Sequence, residues 1–127
     1  METKIQSYKD LIVWQKGYEL VKKVYKITAK LPQSETFALK SQIQRSAVSI
    51  VSNIAEGSRR GTKKDFLHFL IIAFGSGSEL ETQIEIIKRL NYGKGLDFSK
   101  IDLLLEEVMK MLNVFIKKLK TSIDYKL

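Results

Sequence analysis

The chain has no cysteine, one proline, one histidine and one tryptophan among its 127 residues. Each shortage removes a class of chemistry. Without cysteine there is no disulfide, no thiolate metal site and no cysteine nucleophile. A single histidine, His68, cannot supply the paired histidines of a bundle-type metal centre. One proline and seven glycines leave little material for turns, which favours a few long helices over many short strands. No apolar run approaches the roughly 20 residues of a membrane span. The longest, Phe66 to Phe74, contains His68, and the first residues, Met-Glu-Thr-Lys-Ile-Gln, lack the apolar core of a signal peptide. The expectation is a cytoplasmic protein with no membrane partner. What is present is ordinary for one globular domain spanning 1–127: 44% hydrophobic and 28% charged residues.

Charge is unevenly placed. Residues 1–64 hold 13 Lys and Arg against 5 Asp and Glu, a net of +8, whereas residues 65–127 hold 9 against 9. An excess confined to one half points to a polyanionic partner, although lysines on exposed helix faces also serve solubility.

Four segments carry helical periodicity. In the first, Leu11, Trp14, Tyr18, Val21 and Tyr25 recur at steps of three and four, and Val13, Gly17, Leu20, Val24, Ile27 and Leu31 form a second row beside them. Pro32 ends this helix at or just before Leu31. Ser34 can cap a second helix that carries Phe37, Ile43, Ala47, Ile50 and Ile54 and runs to Gly57. Thr62, with Asp65 as the acidic partner of a capping box, begins a third with the row Phe66, Leu70, Ala73, Gly77, Leu80, Ile84 and Ile87. Between Phe66 and Phe74 this helix is apolar nearly all round, which implies a central position or a subunit interface. Asn91-Tyr92-Gly93-Lys94-Gly95 is the clearest turn, and the fourth helix starts near Asp97 or Ser99 and buries Ile101, Leu104, Leu105, Val108, Leu112, Phe115 and Leu119. Helices of about 20 to 28 residues with short connections make an all-α, up-down-up-down antiparallel four-helix bundle.

Catalytic chemistry has few candidates. His68 lies in the most apolar part of the third helix, where a lone histidine is packed structure rather than a base. No Glu stands three residues before it, so the Glu-x-x-His pair of a di-metal site is missing, and neither metal nor cofactor is expected. Gly57-Ser-Arg-Arg-Gly-Thr-Lys-Lys resembles a phosphate-binding loop only loosely, because it lacks the spaced Gly-Lys-Ser/Thr and follows a helix rather than a strand. No small-molecule substrate is evident. What remains is a helix start, whose free amides attract anions, beside Arg59, Arg60, Lys63 and Lys64; this corner is either a phosphate contact or a solvated basic surface. Gln42, Arg45, Ser49, Ser52, Asn53 and Glu56 form a polar row on the second helix, and Ser76, Glu79 and Gln83 one on the third. They serve as a hydrogen-bonded network between packed helices, with Arg45 paired to Glu79 or to Glu56, or else they line a groove or pore. Tyr8, Trp14, Tyr18 and Tyr25 fit the core better than a base-stacking surface, since Lys22, Lys23 and Lys26 interleave with them only weakly.

Trp14-x-Lys16, Val24-Tyr25-x-x-Thr28, Leu31-Pro32-x-x-Glu35, Gln42-x-x-Arg45, Ser49-Ile50-x-x-Asn53-Ile54-Ala55-Glu56-Gly57 and Gly75-Ser76-x-x-Glu79-Leu80-Glu81-Thr82 occur in this order. The set closely resembles the four-helix-bundle proteins encoded within intervening sequences of bacterial 23S rRNA genes, over about residues 8 to 120. Val51 departs from the pattern where a proline is common, and Gly77 where a larger residue is usual, which is expected to loosen the third helix locally. The resemblance implies a homopentameric ring and no known enzymatic activity. The sequence is also similar to the accessory protein of diversity-generating retroelements, a basic pentamer that works with a reverse transcriptase and its RNA.

The expected function is that of a non-enzymatic, homo-oligomeric basic bundle that binds RNA through phosphates at Arg59, Arg60, Lys63 and Lys64, extended by Lys22, Lys23 and Lys26. The structural polar network is Arg45, Ser49, Asn53, Glu56 and Glu79. The alternative is a protein-interaction scaffold that assembles through its apolar third helix.

Overall fold

A computed structural model of the chain describes residues 7–35 and 38–125. Phe37, expected in the second helix, lies outside the described residues. Four helices, α1 (Ile12–Thr28), α2 (Leu39–Arg59), α3 (Lys63–Arg89) and α4 (Ser99–Tyr125), follow one another with short connections. Each packs on its neighbours in a closed square, α1 on α2 and α4, and α3 on α2 and α4. The fold is an all-α four-helix bundle.

The two rows of α1 compete for the core, and one wins. Val13, Gly17, Leu20, Val24 and Ile27 are buried, whereas Tyr18 and Tyr25 are 48% and 46% exposed. The expectation that the tyrosines pack in the core is therefore corrected: a stripe of two adjacent rows is wider than the face that α2 and α4 cover. Gly17 decides the rotation, because a β-carbon there would stand 2.7 Å from Val51 Cγ1, so only glycine lets α1 approach α2 this closely. Val51 is thus the residue that α1 leans on.

The helix ends correct three further expectations. α1 stops at Thr28, three residues before Leu31, and is 17 residues long. Thr28 Oγ1 donates to the Val24 carbonyl at 2.8 Å, and the next amides tighten into a turn, Lys30 to Ile27 and Leu31 to Thr28. Ser34 does not cap α2; the Leu39 amide donates to Glu35 Oε2 at 3.4 Å instead. Gly57 does not end α2, which continues to Arg59. Gly57 is buried, and a β-carbon on it would meet Phe69 Cβ at 2.6 Å and Phe66 Cδ1 at 3.0 Å, so its smallness serves the α2–α3 contact. The break comes at Gly61, whose φ of +89° is the left-handed conformation that closes helices. Thr62 then caps α3 by accepting the Asp65 amide at 3.1 Å.

Gly77 does not loosen α3, which runs unbroken for 27 residues. The Met109 thioether occupies the space its side chain would fill, so the missing side chain is compensated from α4. Leu20, Ile50, Ile54, Leu70, Leu80, Ile87 and Leu112 are fully enclosed, each contributing about 1.5–3 kcal/mol by burial. On α4, Ile116 joins the expected core row, while Leu104 and Phe115 pack only at its margin.

Candidate nucleic-acid interface

The corner between α2 and α3 is three residues long, and it gathers four cations at one end of the bundle. Three of the four are held by neighbours. The Arg59 guanidinium lies 5.2 Å from the Tyr8 ring centroid. Arg60 Nη2 donates to Glu56 Oε1 at 2.8 Å and stands 4.9 Å from the Phe69 ring. Lys63 Nζ donates to Ser122 Oγ of α4 at 2.7 Å. Lys64 is exposed and has no hydrogen bond or ion pair among the described residues. The backbone of α3 begins here, so the first amides of the helix and its positive dipole end lie at the same corner as the cations. The geometry suits a phosphate held by positioned arginines, with one lysine free to reach.

Lys22, Lys23 and Lys26 do not adjoin that corner. At 1.5 Å per residue, Lys26 sits about 21 Å along α1 from Ile12, toward the opposite end. The antiparallel order puts it near the start of α4. Lys23 and Lys26 line a groove of about 190 Å³ with Lys30, Asp97 and Lys100, floored by Ile27 and Ile101. Asp97 is the only acid there, and its carboxyl is held below its ordinary value by hydrogen bonds from Ser99, whose amide donates at 3.0 Å, and by the charges of Lys100 and Lys30. Spacing in the sequence does not single out Lys30 and Lys100, because they are far apart along the chain and only the bundle brings them together. Lys22 lies outside that groove, pairing with Glu19 at 3.3 Å and lying 5.7 Å from the Tyr18 ring.

The aromatics at the start of α1 are stacked on one another, with Tyr8 and Trp14 half-buried and Tyr18 exposed. Trp14 lies face to face with Tyr18, centroids 5.3 Å apart at 19°, and meets Tyr8 edge-on at 5.2 Å. His68, expected to be packed, is exposed, and its ring meets Phe69 edge-on at 5.5 Å. The reason is rotation again: Leu70 and Ala73 face inward, which turns His68, Ile71 and Ile72 out. Among the described residues no three His, Asp or Glu side chains are placed to share a metal ion.

The polar rows of α2 and α3 face each other. Arg45 pairs with Glu79 at 2.6 Å, Ser46 Oγ donates to Gln83 Oε1 at 2.9 Å, and Ser49 Oγ meets Ser76 Oγ at 2.7 Å. Asn53 Nδ2 donates to the Ser49 carbonyl at 2.8 Å and to its hydroxyl at 3.1 Å. Glu56 stands outside this set because it is committed to Arg60. The most buried pair, Ser46–Gln83, is hidden from sequence reasoning, since Ser46 sits on the apolar row by spacing. At the other end, the Tyr92 hydroxyl is enclosed, and this burial, followed by the hydrogen bond and charge of the Glu35 carboxylate beside it, raises the phenol above its ordinary value. Between α3 and α4, Lys88 is held charged by Asp102 at 2.7 Å, with burial opposing and Glu85 at 3.2 Å adding.

No helix among the described residues is long and apolar enough to cross a membrane. The profile of the 23S rRNA-intervening sequence proteins matches residues 9–114. A solved structure, a protein of unknown function from the S23 ribosomal protein family of Bacteroides thetaiotaomicron, is similar at 26% identity and a TM-score of 0.72, over 84% of this chain and 99% of that one. No curated protein matches. The family match spans most of the chain, including the Asn53–Gly57 segment and both polar rows, and the fold agrees with it: the chain belongs to the 23S rRNA-intervening sequence protein family.

Proposed function

We propose that the protein is a non-enzymatic, homo-oligomeric module that binds RNA through phosphates at the α2–α3 corner. The observation that carries this reading is the positioning of Arg59 and Arg60 against Tyr8, Glu56 and Phe69 beside the open start of α3. Guanidinium groups held in place lose less freedom on meeting a phosphate than free ones do. The excess of charge on the first half of the sequence supports the same partner class. Binding should weaken with salt by about 0.9 log units per phosphate contact for each tenfold rise on duplex, or about 0.7 on single strands. Fluorescence anisotropy with a structured RNA between 50 and 300 mM salt tests it, and salt-independent binding, or none at low salt, would sink it.

A second reading is favoured by one feature. Ile71 and Ile72 of α3 are 46% and 38% exposed, and Ile86 lies further along at 44%, so this helix offers an apolar surface to another protein or to another copy. Five copies are the number that the resemblance implies. Light scattering of purified protein reports the subunit count, and a pull-down after nuclease treatment separates a protein partner from an RNA-bridged one.

A further inference from the structure

The rotation of α1 that buries Val13, Gly17, Leu20, Val24 and Ile27 turns Tyr18 and Tyr25 outward and leaves Leu11, Trp14 and Val21 half-buried against the core. At 100° per residue, Trp14, Tyr18, Lys22 and Tyr25 fall within about 80° of one another, a single stripe that begins at the half-buried Trp14 and continues on the outer face. The contacts show an ordered column. Arg59 lies over Tyr8, Tyr8 meets Trp14, Trp14 stacks on Tyr18, and Lys22 lies 5.7 Å from the Tyr18 ring centroid. One turn on, Tyr25 is 46% exposed, and exposed Lys26 follows it. A row of three rings is therefore flanked by a cation at each end, with Tyr25 and Lys26 beyond it, from the α2–α3 corner to the lysine end of α1. The core accounts for Trp14, which packs against its margin, but not for Tyr18 and Tyr25, which it leaves exposed. Spacing along α1 alone makes the interleaving look weak; the contribution of Arg59 and Tyr8 from outside α1 completes it.

We propose that this stripe is a stacking track for single-stranded RNA, with bases on the exposed rings of Tyr18 and Tyr25, Trp14 backing Tyr18 from the core side, and phosphates on Arg59, Lys22 and Lys26. The proposal rests on the RNA reading of the corner and deepens it by naming the strand state of the segment that leaves it. Aromatic faces accept any base, and interleaved cations follow the backbone, so the track is tolerant of sequence. The rings are presented from a helix packed on its opposite face, which keeps them in line without a partner.

Trp14 is the only tryptophan and therefore reports on the track directly. Titration with a 12-nucleotide oligoadenylate is expected to quench its fluorescence saturably, and a 12-base-pair RNA duplex is expected to bind without that quench. Tyr18→Ala and Tyr25→Ala, both at exposed positions, should each weaken single-strand binding roughly 5- to 100-fold and leave the salt slope unchanged, with Tyr25→Phe restoring affinity. Salt-dependent binding that neither quenches Trp14 nor responds to the two alanine variants overturns the track and leaves the phosphate corner standing. Absence of RNA binding by the unaltered protein overturns both. A Tyr25→Ala change that alters subunit number instead assigns the stripe to contact between copies, and so also overturns the proposal.

Discussion

The two ends of the bundle carry positive charge in different ways. At the α2–α3 corner the cations are held: Arg59 by a ring, Arg60 by a carboxylate and a ring, Lys63 by a hydroxyl. In the groove between α1 and α4, Lys23, Lys26, Lys30 and Lys100 face one acid, Asp97, which is occupied with Ser99. Each end sets four cations against one acid, Glu56 at the corner and Asp97 in the groove; the corner has placed guanidinium groups, whereas the groove carries its charge on flexible stems. Charge count alone does not choose between them. Geometry chooses the corner, because directed hydrogen bonds to phosphate need fixed donors, whereas loose ammonium groups offer mainly a screened field.

The strongest test of this contrast neutralises each set of cations in turn. Replacing Arg59, Arg60, Lys63 and Lys64 with Gln should lower RNA affinity by about 100-fold or more at 100 mM salt, and should reduce the salt slope by roughly 0.7–0.9 for each phosphate no longer engaged. The same change at Lys23, Lys26, Lys30 and Lys100 should cost less than about 10-fold. Equal effects at the two ends would erase the distinction between them. Next in size, Gly57→Val forces a β-carbon against Phe69 and Phe66 beneath the corner. Overpacking of this kind costs about 1–3 kcal/mol, visible as a Tm lowered by several degrees, while Gly95→Ala in open space at the other end should leave Tm almost unchanged.

A smaller effect sharpens the role of the held cations. Glu56→Gln removes the acid that partly neutralises Arg60 and should raise RNA affinity about two- to fivefold, at a stability cost near the roughly 0.3–0.5 kcal/mol of an exposed i,i+4 pair. If affinity falls instead, Glu56 is acting by aiming Arg60, and positioning outweighs charge. The smallest effects concern pH at the loop end. The Asp97 carboxyl is depressed in the folded chain, so its stabilising contribution is present above its unfolded value of about 3.9 and fades as pH falls through the lower folded one. Asp97→Asn should flatten the acid limb of a Tm-against-pH curve. Tyr92 behaves oppositely: its raised value means stability that is whole below pH about 10 and declines as pH rises above it through the higher folded value, with the phenol protonated in the fold. The folded state holds the proton more tightly, so alkaline pH favours the unfolded chain, and Tyr92→Phe should remove that decline.

Much of the architecture was legible because it is written locally. Thr62 marks the start of α3 by a cap that needs only its own backbone, and the Asn91–Gly95 turn breaks the chain where no helix can continue. Glycine was harder to read. Gly57 looks like a terminator and is a contact residue, whereas Gly61 is the terminator, and the two differ only in what surrounds them. The candidate site was half legible. The corner cations adjoin in sequence and so adjoin in space, but the groove joins Lys30 to Lys100 across the bundle, and Arg59 reaches Tyr8 across a helix pair.

By itself the sequence determined the number and order of the helices, the shortness of every apolar run, the want of thiol and paired-histidine chemistry, and the family, since periodicity, capping and motif spacing are properties of short stretches. Only the tertiary structure decided which of two apolar rows of α1 faces inward, that Arg45 pairs with Glu79 rather than Glu56, and that His68 and the tyrosines Tyr18 and Tyr25 lie outside. Helical spacing leaves the rotation of a wide stripe undetermined. The rotation is set where backbones meet, at Gly17 against Val51 and Gly77 against Met109, and those contacts exist only once the helices have packed.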